Sequence, residues 1–203
     1  MLFKGDDIVP PVKKFDREDI IKVAYTIAEK EGFAGINARK IAKILGCSVQ
    51  PIFHNFTSME ELFKVVYERI YNKYKEYMLN ARQSKIKPYK EMGLAYIQFA
   101  ADYPEFFKII FMQQTSSTAS NIIITDDINT DIIASGQELT HLSYEEQREF
   151  HLKVWIFTHG IACLVAMHTV EFKSNEIENL LESTVREMLI GYKYEKGENK
   201  WKI

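Results

Sequence analysis

Apolar residues recur at helical spacing along most of the chain, and the breaks between stripes fall at residues that start or stop helices. Ile20, Val23, Ala24, Ile27 and Ala28 form the first stripe. Asp16 stands before it as an N-cap, Glu18 and Asp19 occupy the first turn, where the helix dipole favours carboxylates, and Gly32 ends it. After a second break at Gly35, Ile41, Ala42 and Leu45 make a short stripe with Asn37 as its cap and a tight turn at Gly46. Arg39, Lys40 and Lys43 lie opposite that stripe. The next helix is also short. Ser48 is expected to cap it, and Pro51 falls in its first turn, where a missing N–H costs nothing. Ile52, Phe53 and Phe56 are expected to anchor it to the first helix, leaving Val49, Gln50, His54 and Asn55 outward. Helix, turn at Gly46, helix is the outline of a helix-turn-helix.

Thr57 or Ser58 caps a fourth, long helix with Leu62, Phe63, Val66 and Ile70 inward, extending to about residue 82, and Ser58-Met59-Glu60-Glu61 has the form of a capping box. Pro88 starts a helix running to about residue 102, and Tyr103-Pro104 breaks it before a dense aromatic helix over 104–112. Residues 113–125 are rich in Ser and Thr and read as a loop. A short helix over 128–139 follows, then a long one capped by Ser143 and expected to reach about residue 171. The last helix is capped by Ser174, with Ile177, Leu180, Leu181, Thr184, Val185, Met188, Leu189 and Tyr192 in a broad apolar stripe. The fold class is all-α.

Composition narrows the function. With 46% apolar and 27% charged residues over 203 positions, the chain is globular and long enough for one large or two small domains. No apolar run approaches the roughly 18 to 20 residues of a membrane span, and the first residues lack an export signal. A cytoplasmic protein is expected. Cys47 and Cys163 form neither a zinc spacing nor a disulfide framework. Net charge is −2. Residues 1–58 hold 9 Lys/Arg against 7 Asp/Glu, and the remainder 17 against 21, so any nucleic-acid binding is made by a local basic face and not by an overall field.

The order Gly32, Asn37-x-x-x-Ile41-Ala42, Gly46-Cys47-Ser48, Ile52-Phe53-x-x-Phe56, Ser58-x-Glu60-x-Leu62 resembles the N-terminal domain of TetR-type transcriptional regulators. Residues 1–14, ending in Pro10-Pro11-Val12-Lys13-Lys14, read as a flexible arm, either a solvated tail or one whose Lys13 and Lys14 contact DNA phosphates or the minor groove. The resemblance implies a helix-turn-helix DNA-binding domain over 15–75 and a helical effector-binding and dimerisation domain over 76–203. It places Ser48, Val49, Gln50, Pro51 and His54 at base edges and Asn37, Arg39, Phe53 and Asn55 near phosphates. Gln is suited to adenine, and Val or Pro to a thymine methyl. The chain departs from the family in having Asn37 for Thr, Phe53 for Tyr and Met59 for Lys, and neither Phe nor Met can donate to a phosphate.

The C-terminal half carries Tyr96-x-x-Phe99-Ala100, Tyr103-Pro104-x-Phe106-Phe107 and Trp155-x-x-x-His159-Gly160, a weaker resemblance to part of the same family. The implied effector site draws on Tyr96, Phe99, Phe107, Phe111, Gln113, Trp155, Thr158, His159 and Cys163, an aromatic set that fits an apolar or weakly polar small molecule. Leu164, Ile177, Leu181, Thr184, Val185 and Met188 are the expected homodimer interface, in which two helices of each subunit form a four-helix bundle, the alternative being that these stripes close the core of a monomer. His159, Cys163 and Met167 recur at i, i+4 and i+8, but no second cluster completes a metal site, so neither metal nor cofactor is expected. G-x-S-x-G, P-loop, G-x-G-x-x-G and H-E-x-x-H motifs are absent, which argues against an enzyme. The expected function is a ligand-released repressor that binds a palindromic operator as a homodimer. The alternative is a helical small-ligand adaptor that has lost strong DNA binding.

Overall fold

The computed structural model describes residues 15–82, 88–112, 127–173 and 175–196. Expectations for the arm 1–14, for Gln113 and the 113–125 loop, and for the Ser174 cap lie outside them. The described residues are helical and contain no strand. In order they form α1 (Arg17–Glu31), a single 3-10 turn (Phe33–Gly35), α2 (Ala38–Leu45), α3 (Gln50–Asn55), α4 (Met59–Arg82), α5 (Pro88–Asp102), α6 (Pro104–Phe111), α7 (Asp127–Thr140), α8 (Tyr144–Ala166) and α9 (Glu176–Lys196). The chain divides into two compact units, Met1–Val66 and Tyr67–Ile203, with the boundary inside α4.

Local chemistry accounts for the helix ends of the first unit. Asp16 accepts the Asp19 N–H at 2.8 Å while the Asp16 N–H donates to the Asp19 carboxylate at 3.3 Å, a reciprocal cap that satisfies two orphan groups at the start of α1. Asn37 Oδ1 accepts the Lys40 N–H at 2.9 Å and starts α2. Gly46, at φ 69 and ψ 35, ends it. The Cys47 N–H reaches the Ala42 carbonyl at 3.0 Å and the Gly46 N–H the Lys43 carbonyl at 3.3 Å, a Schellman closure that needs a left-handed residue at Gly46. The interior is apolar. Ile20, Ala24, Ala28, Ile41, Ile52 and Leu62 are fully or almost fully buried, which draws α1, α2, α3 and the start of α4 onto one small core.

In the second unit α8 is the central helix, packing against α5, α6, α7 and α9. Ser143 and Glu146 cap it reciprocally, as expected for this start. Its end is not where the apolar pattern placed it. The helix stops at Ala166, because His168 takes a left-handed φ of 52 and its N–H and that of Thr169 return to Val165 and Leu164 at 3.0 Å each. One end of the unit is filled by Phe150, Val154 and Tyr192, with Tyr89, Leu142, Val185, Met188 and Leu189 packed around them.

Beside that cluster lies a buried polar group of four side chains on three helices. Thr140 Oγ1 donates to the Gln147 Oε1 at 2.6 Å, and the Tyr89 hydroxyl contacts His151 Nδ1 at 3.2 Å. Gly136 is the point of closest approach. A Cβ there would stand 2.1 Å from Gln147 Nε2 and 3.1 Å from Tyr89 Cε2. Gly136→Ala is therefore expected to lower the unfolding free energy by about 1 to 3 kcal/mol through overpacking. Adding Gln147→Ala should recover part of the loss in urea titration, and a double variant no more stable than the single one would refute the proposed clash.

Candidate nucleic-acid interface

Within the first unit, α2 and α3 carry the residues expected to meet DNA. From Gly32 to Met59 the chain contains Arg39, Lys40 and Lys43 and no Asp or Glu, so its field is locally positive although the whole chain is slightly acidic. Arg39 and Lys43 are exposed. Lys40 instead pairs with Glu31 at the end of α1, which removes it from the set of uncommitted cations. The expected row of three is in effect two.

Six residues are too few for α3 to hold itself as a helix in water, so its docking decides its shape. Ile52 and Phe56 are buried beneath it. At its C-terminal end Arg17, from the first turn of α1, donates to the Asn55 carbonyl at 2.8 Å and to Glu61 Oε1 at 2.9 Å, with its guanidinium 4.1 Å from the centre of the Phe56 ring. The Thr57 N–H, then the Thr57 hydroxyl and Arg17, hold the Glu61 carboxyl below the usual range and keep it ionised for this contact. Arg17 thus ties α1, α3 and α4 together at one point. Nothing in its position as the first residue of a helix signals this role, since its partners lie 38 and 44 residues away.

Several expectations for α3 are corrected. Its N-cap is Val49, not Ser48, and the Ser48 hydroxyl accepts the Gln50 N–H at 3.4 Å from just outside the helix. Phe53 does not anchor the helix inward, because Ile52 and Phe56 fill that side, and it stands 54% exposed. The Asn55 side-chain amide turns back to the Pro51 carbonyl at 2.8 Å, so it serves α3 itself. Ser48, Val49, Gln50 and His54 are exposed, Pro51 is half-buried, and Asn37 is committed to its cap. The outward face of α3 consists of Val49, Gln50, Phe53 and His54, related by helical steps of three and four.

The expected effector residues belong to the second unit, where most of them converge on His159. Tyr96 reaches its Nδ1 at 2.9 Å, Cys163 its Nε2 at 3.4 Å, Trp155 stacks on it at 4.8 Å and 9°, and Phe107 and Phe111 approach at 5.6 and 6.2 Å. Burial pushes the His159 pKa down and those of Cys163 and Tyr96 up, so the group is uncharged near neutrality. Two of the expected residues lie off this centre. Phe99 is fully buried against Tyr74 and Tyr77, and the Thr158 hydroxyl is used within α8 on the Val154 carbonyl at 2.8 Å. Met167 lies past the end of α8 and is 57% exposed, while His159 and Cys163 touch each other; among the described residues no three His, Cys, Asp or Glu come together as a metal site. An open groove of about 530 Å³ lies elsewhere in this unit, lined in part by Tyr77, Leu94, Gln98, Phe172 and Ile177.

Of the expected dimer residues, Leu181 is buried within its own chain, and Val185 and Met188 pack on its Phe150, Val154 and Tyr192. Thr184 and Ile177 are half-buried, and Leu164 is exposed together with Ile156, Leu180 and Ile190.

A short helix held by its neighbours, with an outward row of side chains set in an acid-free basic stretch, defines a helix-turn-helix DNA-reading domain of a transcription regulator. Residues 20–66 match the family model described as bacterial regulatory proteins, tetR family, so this part of the chain is a tetR-type DNA-binding domain. Among curated proteins none matches. Among solved structures, a protein of unknown function from Rhodococcus sp. RHA1 is similar at 16% identity and a TM-score of 0.66, over 90% of this chain and 98% of its own. A TetR-like transcriptional regulator from the same organism gives 15% and 0.61, over 90% and 100%. A further transcriptional regulator from that organism gives 16% and 0.52, over 86% and 96%. At these identities the likeness carries the fold, and no described helix is long and apolar enough to cross a membrane.

Proposed function

We propose that the protein binds a palindromic operator as a homodimer, represses transcription there, and is released by a small apolar or weakly polar effector. The observation that carries the DNA reading is α3: docked through Ile52, Phe56 and Arg17, it leaves Gln50 and His54 exposed, as Arg39 and Lys43 of α2 are, with no carboxylate between residues 32 and 59. The homodimer is supported by Ile156, Gly160 and Leu164, all exposed at successive four-residue steps of α8, where a second helix can approach closely. The uncharged aromatic ring around His159 supports an uncharged effector.

Fluorescence anisotropy with labelled duplex from upstream of the gene tests the reading. The full chain is expected to bind it at least about a hundredfold tighter than random duplex at matched salt. Gln50→Ala should lose about tenfold on that site and nothing on random DNA, as for a bidentate base contact. Arg39→Ala should weaken both and lower the salt slope by about one. Equal affinity for both duplexes, untouched by either substitution, would leave the helical adaptor as the better reading.

A further inference from the structure

Phe53 has no hydrogen-bonding group and is 54% exposed in the middle of the surface that faces DNA in the proposal above; Val49, one helical turn earlier on the same face, is 37% exposed. Neither can turn inward, because Ile52 and Phe56 already fill the space beneath α3. Their neighbours on that face are Gln50 and His54, and the surrounding stretch from residue 32 to residue 59 carries cations without a single carboxylate. An apolar pair in such a field fits a polyanion that presents methyl groups. In duplex DNA the major groove offers one such group, the 5-methyl of thymine.

We propose that Phe53, with Val49, is a specificity-determining residue that packs against thymine 5-methyl groups in the operator, in place of a phosphate contact; this rests on the DNA-binding reading above. The spacing supports a defined register. Gln50 and Phe53 are three residues apart, about 4.5 Å along the helix axis, against a base-pair rise of about 3.4 Å. A Gln50 amide on an adenine and a Phe53 ring on a thymine methyl of a nearby base pair are therefore within reach of one another on the same face of α3. Affinity gained in this way comes from apolar area removed from water and carries no counterion release, so it is independent of salt.

The test uses duplexes enriched from a random pool by the wild-type full chain, resynthesised with each thymine replaced in turn by deoxyuridine, which removes one methyl and leaves the base pairing intact. At the thymine under Phe53 the wild type is expected to lose about fourfold in affinity, the value of one buried methyl group. Phe53→Ala should bind the thymine duplex about tenfold more weakly, keep the wild-type salt slope, and show no further loss with deoxyuridine at that position. Phe53→Leu should retain sensitivity to the methyl. Circular dichroism melts that match the wild type show that the variants are folded, as an exposed position predicts. If deoxyuridine weakens wild type and Phe53→Ala by the same factor at every position, Phe53 does not read methyls and the proposal fails while DNA binding stands. If Phe53→Ala leaves DNA affinity intact and instead changes the mass in solution, Phe53 covers a protein contact and the proposal again fails. If no sequence is enriched, the DNA-binding reading fails and takes this proposal with it.

Discussion

Acidification from pH 7 to pH 4 is expected to remove about 3 kcal/mol of unfolding free energy from the second unit through His151 alone. The side chain is 5% exposed, and burial pushes its pKa from 6.5 down to about 4. A shift of about 2.5 units at about 1.36 kcal/mol each gives that magnitude. The sign follows from which state takes up the proton first. Below pH 6.5 the unfolded chain protonates while the folded chain keeps His151 neutral, so stability is complete above about pH 6.5, falls as pH drops toward 4, and changes no further below it. The structure shows why the charged form is resisted. Tyr89 contacts Nδ1, whereas Nε2 has no hydrogen-bond partner among the described residues, so a proton added there would be buried without an acceptor. His159, lowered by the same cause, acts in the same direction. Urea titrations followed by tryptophan fluorescence between pH 7.5 and 4 measure the slope. The double variant His151→Leu, Tyr89→Phe removes both polar partners together and should flatten the curve. A wild-type slope retained in that variant would place the acid sensitivity elsewhere.

The parts of this fold that could be read from sequence are those fixed within four or five residues. Asp16, Gly32, Asn37, Gly46 and Ser143 each act through a hydrogen bond to a near neighbour, so their meaning survives without knowledge of the rest of the chain. The tetR-type pattern over the first unit is legible for the same reason, since its turn and caps are local. What could not be read depends on partners far away. Ile52 and Phe53 are adjacent and both apolar, and only the docking of α3 decides that the first is buried and the second exposed. Val185 and Met188 sit in an apolar stripe whose spacing alone does not show that they pack, partly buried, against Phe150, Val154 and Tyr192 of the same chain. Gln147 and His151 are polar and yet buried, and Thr140 and Tyr89, from other helices, meet one polar atom of each. The end of α8 was missed because His168 adopts a left-handed conformation that glycine usually marks.

Arg17→Ala is expected to lower operator affinity by tenfold or more while moving the melting temperature by only a few degrees. Arg17 makes no contact that a DNA-reading role requires. Its place is at the rear of α3, where it donates to the Asn55 carbonyl and to Glu61 and lies over Phe56. Hydrogen bonds from a charged donor contribute about 1.5 to 3 kcal/mol when buried. Here the side chain is partly exposed, at 43%, so solvent screens the pair with Glu61 and the arrangement contributes less than a buried one. That loss is small against the folding of a two-unit chain but large against the docking of a helix with six residues, Gln50–Asn55, and two buried anchors. A frayed α3 must be reordered when it binds, and the ordering free energy is subtracted from affinity without any change in the residues that touch DNA. Arg17→Lys separates charge from geometry: both bonds leave one guanidinium nitrogen, Nη1, so an ammonium supplies the donors but not the flat face over the Phe56 ring, and it should recover only part of the affinity. Anisotropy on the enriched duplex, with amide exchange over residues 50–55, reads both quantities. Full affinity in Arg17→Ala, or protection of those amides unchanged from wild type, would show that α3 is held by Ile52 and Phe56 without the clamp.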